Sequence, residues 1–373
     1  MDKKLGFGFM RLPRLNADDE TTVDFETTKE MVDLFMQAGF NYFDTAHRYH
    51  GEVSEVAIRE CLTSRYPRER YELTNKLTTF HGYIRKEEDQ IQFFKNQLAI
   101  CGVDYFDNYL IHALNMANYR EANQYHSFAF IQKMKEEGYC KRTGFSFHGT
   151  PDLLDEILTA HPEVDMVQLQ INYLDWLDAG IQAKKCYEIV RKHDKLVVVM
   201  ETIKGGNLIH LLEKAKQLMN EMHPDWSYAY WAIAFCASLD TYRVLSGMST
   251  VAQVRENTQE MQHFRPLNQQ ELDVLSQVAN LIQADTAIGC TNCQYCLSEC
   301  PKQIAIPQYF ALYNDDKRNH VNYVHNTSNY YHALTQKHGK ASDCIRCGRC
   351  EKVCPQHLSI REYLADIAKF YEK

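Results

Sequence analysis

The spacing of eight cysteines near the end of the chain restricts its possible structures more than any other feature. They lie in two runs, CTNCQYCLSECP and CIRCGRCEKVCP, and both runs fit C-x₂-C-x₂-C-x₃-C-P. A tight loop with this spacing places three thiolates around one iron–sulfur cubane, and the fourth cysteine binds the other cluster. We therefore predict two [4Fe–4S] clusters, one held by Cys290, Cys293, Cys296 and Cys354, and the other by Cys344, Cys347, Cys350 and Cys300.

A pair of zinc sites is the alternative interpretation, because CxxC pairs also bind zinc. Zinc gives no reason for a third evenly spaced cysteine or for the Cys-Pro that ends each run. Disulfides are not expected, because the first residues lack the apolar run of an export signal and the crowded cysteines suit a reducing compartment. We expect a cytoplasmic protein, with packing roles for Cys61, Cys101, Cys140, Cys186 and Cys236.

Length and composition allow a large globular core. The chain has 373 residues, of which 45% are hydrophobic and 24% charged, so a barrel of about 250 residues and a small second domain would fit. The net charge of -8 gives no electrostatic footprint for nucleic acid or an anionic membrane. No stretch approaches the roughly 18 uncharged apolar residues of a membrane span. We therefore expect the protein to bind neither nucleic acid nor a membrane.

Short apolar runs alternate with longer amphipathic segments over most of the chain. Alternation of this kind predicts parallel strands joined by crossover helices, and eight repeats predict a (β/α)₈ TIM barrel. No GxGxxG loop follows any run, which argues against a Rossmann domain. A further helix is predicted over 268–285, and the barrel is assigned to residues 1–283 and a ferredoxin-like domain to 284–373. The predicted strands are 6–10, 41–45, 71–76, 105–112, 143–148, 166–172, 196–202 and 243–248.

Polar residues end three of these strands and share one chemistry. Asp44 ends the second strand and is followed by Tyr49, Lys76 ends the third, and His112 ends the fourth. Barrel active sites are built at such carboxyl ends. A buried ammonium at Lys76 would lower the pKa of Tyr49, Asp44 would orient Lys76, and His112 would position a carbonyl group.

The segments FDTAHRY, TNK and YLIH resemble the catalytic strands of the aldo-keto reductase superfamily, with similarity over about residues 5–265. Residues 285–362 resemble bacterial two-cluster ferredoxins, although the connection 301–343 is longer and rich in Tyr and His. The combination resembles the ferredoxin-fused branch of aldo-keto reductases. The resemblance implies a catalytic tetrad of Asp44, Tyr49, Lys76 and His112 and a nicotinamide cofactor.

The same resemblance implies the residues that hold this cofactor. Gln253 and Gly247 stand where NADP-preferring members often carry Arg and Lys, and Met200 replaces the usual aromatic that stacks on nicotinamide. NAD(H) and NADP(H) therefore both stay open. The positions that match the carboxamide contacts are Ser146 and Gln168, and those that match the phosphate and adenine contacts are Gly247, Ser249, Thr250, Gln253, Glu256 and Asn257.

The first functional hypothesis is hydride transfer to or from a carbonyl or alcohol substrate. Hydride carries two electrons, whereas each cluster takes one, and a flavin or radical usually joins such couples. The clusters could be structural, could exchange electrons with a partner ferredoxin, or could couple to a flavin for which no motif is seen. The alternatives are an electron-transfer protein that docks a redox partner and a redox-neutral NAD-dependent enzyme of the epimerase type. Glu201 and Trp176 also follow strands and could face the substrate, while Glu201 could instead pair with Lys204 and Trp176 could cap the rim.

Overall fold

A computed structural model of the chain describes residues 3–80, 82–284, 287–290, 292–318 and 327–372. Within them, eight parallel strands close into a barrel in which each strand pairs with the next and the last pairs with the first. The predicted (β/α)₈ fold is confirmed, and each predicted run overlaps one strand. The strands are β1 (Leu5–Gly8), β2 (Tyr42–Asp44), β3 (Glu72–Leu77), β4 (Phe106–Leu114), β5 (Cys140–Phe147), β6 (Met166–Gln170), β7 (Leu196–Met200) and β8 (Arg243–Ser246).

Helices surround the barrel, and polar side chains mark several of their first turns. Asp24 accepts a hydrogen bond from the backbone N–H of Thr27, and Asn115 caps its helix in the same way. A π-helical turn, Arg59–Thr63, continues the second helix. The helices are α1 (Phe25–Gln37), α2 (Ser54–Ile58), α3 (Asp89–Cys101), α4 (Met116–Gln124), α5 (Ser127–Glu136), α6 (Pro151–Ala160), α7 (Ala183–Lys192), α8 (Glu213–Met222), α9 (Tyr228–Ser238), α10 (Val251–Gln262) and α11 (Gln269–Ala284).

Side chains fill the lower part of the barrel. Glu72, at the start of β3, accepts hydrogen bonds from Tyr242 and Arg243 at the start of β8 and from Arg142 near the start of β5. An apolar layer packs inside the strands and consists of Tyr42, Leu110, Met166, Val198 and Leu245. The carboxyl ends of the strands are therefore left as the place for a site.

The two cysteine runs fold as a structural repeat. Each run contains a short helix and is followed by a longer one, and left-handed backbone recurs at equivalent positions of both. At one of these positions Gly348 adopts the conformation without steric cost, while its counterpart Gln294 adopts the same conformation with a side chain. The helices of this segment are α12 (Tyr295–Glu299), α13 (Ile306–Arg318), α14 (Thr327–Leu334), α15 (Arg349–Lys352) and α16 (Ile360–Tyr371).

A buried ammonium joins the C-terminal segment to the barrel. Lys204 is fully buried after β7, and its Nζ lies 2.6 Å from Asp175 Oδ1 of the barrel and 2.9 Å from Asp315 Oδ1 of α13. Burial alone would lower the pKa of Lys204, but the two carboxylates outweigh it and raise that pKa. The sequence suggested an ion pair between Glu201 and Lys204, whereas the Lys204 ammonium pairs with Asp175 and Asp315.

Close packing supports the same interface. Gly180 of the β6–α7 connection lies against α13, where an added Cβ would stand 2.8 Å from a methyl group of Leu312. On α14, the Tyr330 hydroxyl lies 3.4 Å from Oε1 of Gln170 at the end of β6. The C-terminal segment thus packs directly on the mouth of the barrel.

We predict that Lys204→Met strongly destabilises the protein. Removing the ammonium leaves Asp175 and Asp315 buried without their shared counter-ion, which typically costs about 3–5 kcal/mol. Urea unfolding followed by circular dichroism measures the change in free energy of unfolding.

Lys133→Met is the matched control. Lys133 of α5 is 66% exposed and lies 3.8 Å from Glu137, which directly follows that helix, so its loss should cost no more than about 0.5 kcal/mol. Equal urea midpoints for Lys204→Met and the unaltered protein would show that the buried pair does not hold the two segments together.

Candidate functional site

A large cleft opens at the carboxyl ends of the strands. Its volume is about 1960 Å³, larger than the roughly 300–1,000 Å³ of an ordinary ligand pocket, so a dinucleotide and a substrate can fit together. Asp44, Tyr49 and His112 of the predicted tetrad line it, and Asn329 and His332 of α14 line it from the C-terminal segment.

Lys76 lies directly beneath the cleft and contacts two other tetrad residues. It is fully buried, and its Nζ donates to Asp44 Oδ1 at 2.6 Å, to the backbone oxygen of Thr45 at 2.8 Å and to Tyr49 Oη at 3.3 Å. Gln168 donates to the second oxygen of Asp44 at 3.1 Å. The carboxylate is therefore held from two sides, and the ammonium is directed at the phenol oxygen.

The electrostatics differ in one respect from the sequence-based expectation. Burial alone would lower the pKa of Lys76, but Asp44 and Tyr49 outweigh it and raise that pKa, so Lys76 carries its charge at neutral pH. Burial also raises the pKa of Tyr49, and the opposing effect of Lys76 is smaller. The expectation of a lowered Tyr49 pKa is wrong, because burial disfavours the phenolate more than one nearby ammonium favours it.

One histidine, His112, stands beside the phenol of Tyr49. The rings of Tyr49 and His112 meet edge to face with centroids 5.8 Å apart, and His112 Nδ1 lies 3.3 Å from Thr78 Oγ1. Burial and the charge of Lys76 hold the pKa of His112 well below its ordinary value, with His148 contributing in the same direction. His112 is therefore neutral at pH 7 and can position a carbonyl oxygen without competing for the proton of Tyr49.

The predicted cofactor residues fall into two groups. Gln168, Gly247, Ser249, Gln253 and Asn257 line the cleft, as does Glu256. Ser146 and Thr250 do not line the cleft. Ser146 accepts a hydrogen bond from the backbone N–H of Ala113 at 2.7 Å, and Thr250 caps α10 by accepting from the backbone N–H of Gln253.

The α10 end of the cleft fits a dinucleotide. The first turn of a helix presents unpaired N–H groups and a positive dipole end, which suit a phosphate. The Asn257 side chain is 3% exposed and donates to Ser246, while its Oδ1 has no hydrogen-bond partner among the described residues. A buried acceptor without a partner at this position matches the amino group of an adenine.

Two charged residues at the cleft were not assigned to the cofactor from the sequence. Arg11, just after β1, lies against Gly247, where an added Cβ would stand 3.2 Å from the Arg11 side chain. Glu201 lines the cleft in a left-handed conformation with φ of 56° and burial raises its pKa. Arg11 could not be found from the sequence because only the barrel closure brings β1 beside β8.

Trp176, which the sequence also places after a strand, packs on Tyr187 and Phe235, with ring centroids 5.6 and 5.7 Å away.

The eight cysteines gather around two cavities. The first is lined by three cysteines of the first run and the last of the second, namely Cys290, Cys293, Cys296 and Cys354. The other is lined by Cys300, Cys344, Cys347 and Cys350. These are the two sets that the spacing predicts, and each run contributes its fourth cysteine to the cavity of the other.

The donor set and its surroundings fit iron–sulfur clusters. Apolar side chains such as Ile306 and Phe310 share the walls with the thiols, and the backbone N–H of Ile304 lies 3.4 Å from Cys300 Sγ. Hydrogen bonds to sulfur and apolar walls are common around such clusters. Among the described residues, no three His, Cys, Asp or Glu side chains converge closely enough to hold a single metal ion.

Comparison with known families divides the chain into two matches. Residues 4–280 match the aldo/keto reductase family, and residues 289–359 match the 4Fe-4S dicluster domain. A curated relative, a component of the ion-translocating oxidoreductase complex of Buchnera aphidicola, is 36% identical over 74 residues. That stretch is 20% of this chain and only 12% of the relative, so this chain spans a small part of its length.

Solved structures with the same barrel include two aldo-keto reductases. One, from Klebsiella pneumoniae in complex with NADPH, is 16% identical, covers 74% of this chain and 90% of its own, and has a TM-score of 0.57. The other is the holo form of AKR11C1 from Bacillus halodurans, 22% identical, with coverage of 74% and 91% and a TM-score of 0.59. These likenesses support the fold.

No helix of the described residues is long and apolar enough to cross a membrane.

The two cavities predict which pairs of cysteines serve the same centre. The double variant Cys300→Ala/Cys347→Ala alters one cavity, whereas Cys300→Ala/Cys293→Ala alters both. We expect the first to retain roughly half of the bound iron and the second to retain almost none, because each cubane needs its four thiolates. Iron and sulfide analysis after anaerobic reconstitution measures this.

The two variants are matched, since each lacks one exposed cysteine, Cys293 or Cys347, in addition to Cys300. Equal iron contents would show that the cysteines do not divide between two centres in this way.

Proposed function

The chain belongs to the aldo/keto reductase family, and from this premise we propose that it transfers hydride between a nicotinamide cofactor and a small carbonyl or alcohol substrate. The observation that carries the proposal is the contact of the buried Lys76 ammonium with both Asp44 and Tyr49 at the floor of the cleft. A bound NAD(H) or NADP(H) supplies or accepts the hydride. The substrate occupies the part of the cleft that Tyr49 and His112 line.

Each tetrad residue then has a distinct task. Tyr49 donates its proton to the carbonyl oxygen as hydride reaches the carbon, and Lys76 stabilises the phenolate that remains. Asp44 keeps Lys76 charged and fixes its position. His112 is neutral and orients the carbonyl oxygen by a hydrogen bond.

We also propose which residues bind the nicotinamide cofactor. Gln168, which lines the cleft, and Ser146 serve the carboxamide. Gly247, Ser249, Gln253 and Asn257, which line the cleft, and Thr250, which caps α10, serve the adenosine end. The aliphatic part of the Arg11 side chain lies against Gly247, and Arg11 lines the cleft. Its guanidinium supplies positive charge for phosphate that the Gly247 and Gln253 positions lack.

We propose a barrel module of residues 1–283 and an iron–sulfur module of residues 284–373 with two [4Fe–4S] clusters. The ligand sets are those of the two cysteine cavities. The iron–sulfur module also contributes α14 to the wall of the cleft, so both modules shape the site.

Tyr49→Phe tests the proposed reaction. The variant keeps the ring beside His112 and removes the proton donor, so we expect carbonyl reduction by NADH or NADPH to fall by about 10²–10⁴-fold. Cofactor binding, measured by nicotinamide fluorescence, should not change.

Tyr139→Phe is the control, because Tyr139 is 39% exposed and directly precedes β5, at the end of the barrel opposite the cleft. The pH profile adds a second readout. Since the Tyr49 pKa is raised above about 10, the protonated acid persists at neutral pH and reduction should decline only in alkaline solution. Full activity of Tyr49→Phe would rule out the proposed acid.

A second candidate function, electron exchange with a partner redox protein, is favoured by apolar residues exposed at the cysteine runs. Tyr295 is 61% exposed, Ile345 58% and Val353 37%. Each belongs to one of the two runs, so an apolar partner surface could approach the clusters closely. Contiguous exposed apolar patches often mark protein–protein interaction sites.

Anaerobic titration of the cluster-loaded protein with NADH and NADPH separates the two roles. We expect the nicotinamide to bind while the visible cluster band persists, because hydride transfers two electrons and a cluster accepts one. Bleaching of that band would contradict the expectation and would show an electron path from nicotinamide to the clusters through a flavin or an equivalent group.

A further inference from the structure

A buried carboxylate beside the third barrel strand takes no part in the proposed steps. Glu55 lies in the first turn of α2 and is fully buried. Its Oε1 accepts hydrogen bonds from Asn75 Nδ2 at 2.8 Å and from Gln97 Nε2 at 2.7 Å. Its Oε2 lies 2.8 Å from His47 Nδ1. A charge removed from water at a cost of several kcal/mol is retained here with partners on both oxygens.

The two amides connect Glu55 to the backbone of Lys76. Asn75 precedes Lys76 in β3, and its Oδ1 accepts a hydrogen bond from the Lys76 backbone N–H at 2.8 Å. Gln97 of α3 donates from Nε2 to the Lys76 backbone oxygen at 3.0 Å. Both amide side chains are buried. The N–H and the carbonyl of Lys76 are therefore each held by an amide that also contacts Glu55.

The carboxylate determines which way each amide points. A carboxylate only accepts hydrogen bonds, so each amide must turn its NH₂ group toward Glu55. This orientation leaves the oxygen of Asn75 for the N–H of Lys76. The oxygen of Gln97 accepts instead from the Tyr109 hydroxyl at 2.6 Å. Without the carboxylate, a half-turn of Asn75 would place two donors against each other at Lys76.

The position of Lys76 matters because its ammonium acts on the proposed acid. Its Nζ lies 2.6 Å from Asp44 Oδ1 and 3.3 Å from Tyr49 Oη. A shift of the Lys76 backbone would carry the ammonium away from the phenol, where it would stabilise the phenolate less. Misplacement of a reacting group by about 1 Å can cost roughly 10²-fold in rate.

An imidazole supports the other oxygen of Glu55. His47 is 16% exposed, and its Nε2 lies 3.7 Å from Glu52 Oε1. Its ring meets the rings of Tyr83 and Phe93 edge to face, with centroids 5.3 and 5.0 Å away. Burial alone would lower the pKa of His47, but Glu55 and Glu52 outweigh it and raise that pKa, which favours the imidazolium. Glu55 therefore has a counter-ion on the side away from the amides.

We propose that Glu55 is a positioning residue for the reaction, because it fixes the backbone of Lys76. The two amides that it orients keep the Lys76 ammonium within reach of the Tyr49 phenol. Glu55 and both amides do not line the cleft, so they act through Lys76 and not by contact with a substrate. The inference rests on the proposed function, which gives Lys76 and Tyr49 their tasks.

The kinetic test uses reduction of 4-nitrobenzaldehyde by the cluster-loaded protein. Glu55→Met removes the acceptor at similar volume, and we expect kcat to fall about 10–100-fold while the nicotinamide Kd changes less than about threefold. Glu55→Gln keeps an oxygen for the amides and should retain kcat within about threefold of the unaltered protein. Glu60→Met is the matched control, since Glu60 is exposed in the turn that continues α2, and it should leave kcat unchanged.

A spectroscopic test does not depend on turnover. Tyrosine labelled with ¹³C at Cζ gives a resonance for Tyr49 that is identified by its absence from Tyr49→Phe, and Lys76→Met shows how it shifts when the ammonium is lost. Glu55→Met should shift this resonance in the same direction as Lys76→Met. Glu55→Gln and Glu60→Met should leave it in place.

The outcomes separate this inference from the proposed function. An unchanged Tyr49 resonance, or an unchanged kcat, in Glu55→Met would overturn the inference and leave carbonyl reduction standing. Equal losses of kcat in Glu55→Gln and Glu55→Met would also overturn it, as would unfolding of Glu55→Met seen by circular dichroism. If the unaltered protein reduces no carbonyl with NADH or NADPH, the proposed function fails, and the Tyr49 resonance alone decides whether Glu55 positions Lys76.

Discussion

The packing of the C-terminal segment on the barrel depends on one buried ammonium. Lys204 follows the seventh barrel strand and bridges Asp175 of the barrel and Asp315 of the C-terminal segment, at 2.6 and 2.9 Å. A charge without solvent requires such partners, because its desolvation costs several kcal/mol. The two ion pairs of Lys204 therefore fix α13 on the barrel, and Tyr330 of α14 contacts Gln170 at the end of β6.

The consequence is a site built by both segments. The barrel supplies Asp44, Tyr49, Lys76 and His112, and α14 adds Asn329 and His332 to the lining of the cleft. The burial that this arrangement produces also sets the protonation of the site. It raises the pKa of Tyr49 and lowers that of His112, so at neutral pH the phenol keeps its proton and the imidazole is uncharged. Tyr49 can therefore act as an acid, and His112 can act as a neutral hydrogen-bonding group.

Local signals carried the sequence-based predictions that the structure supports. The alternation of strand and helix patterns was sufficient for the barrel, because each unit depends on residues close in sequence. The Asp44, Lys76 and His112 positions could be found because strand ends mark the active face of a barrel. The pKa of Tyr49 was predicted in the wrong direction, since its depth in the cleft depends on packing that no motif encodes. Ser146 and Thr250 do not line the cleft, although the residues that donate to them, Ala113 and Gln253, do, and the motif match alone did not indicate this.

The sequence by itself determined the barrel class, the polar strand ends and the two cysteine repeats, because spacing along the chain controls strand register and the reach of a short loop. Only the tertiary structure decided which distant residues meet. It placed Arg11 beside Gly247, His148 against Tyr330 and Lys204 between carboxylates from both segments. The physical reason is that these contacts join residues far apart in the chain, and their energies arise from burial, which exists only after the barrel closes and the C-terminal segment packs on it.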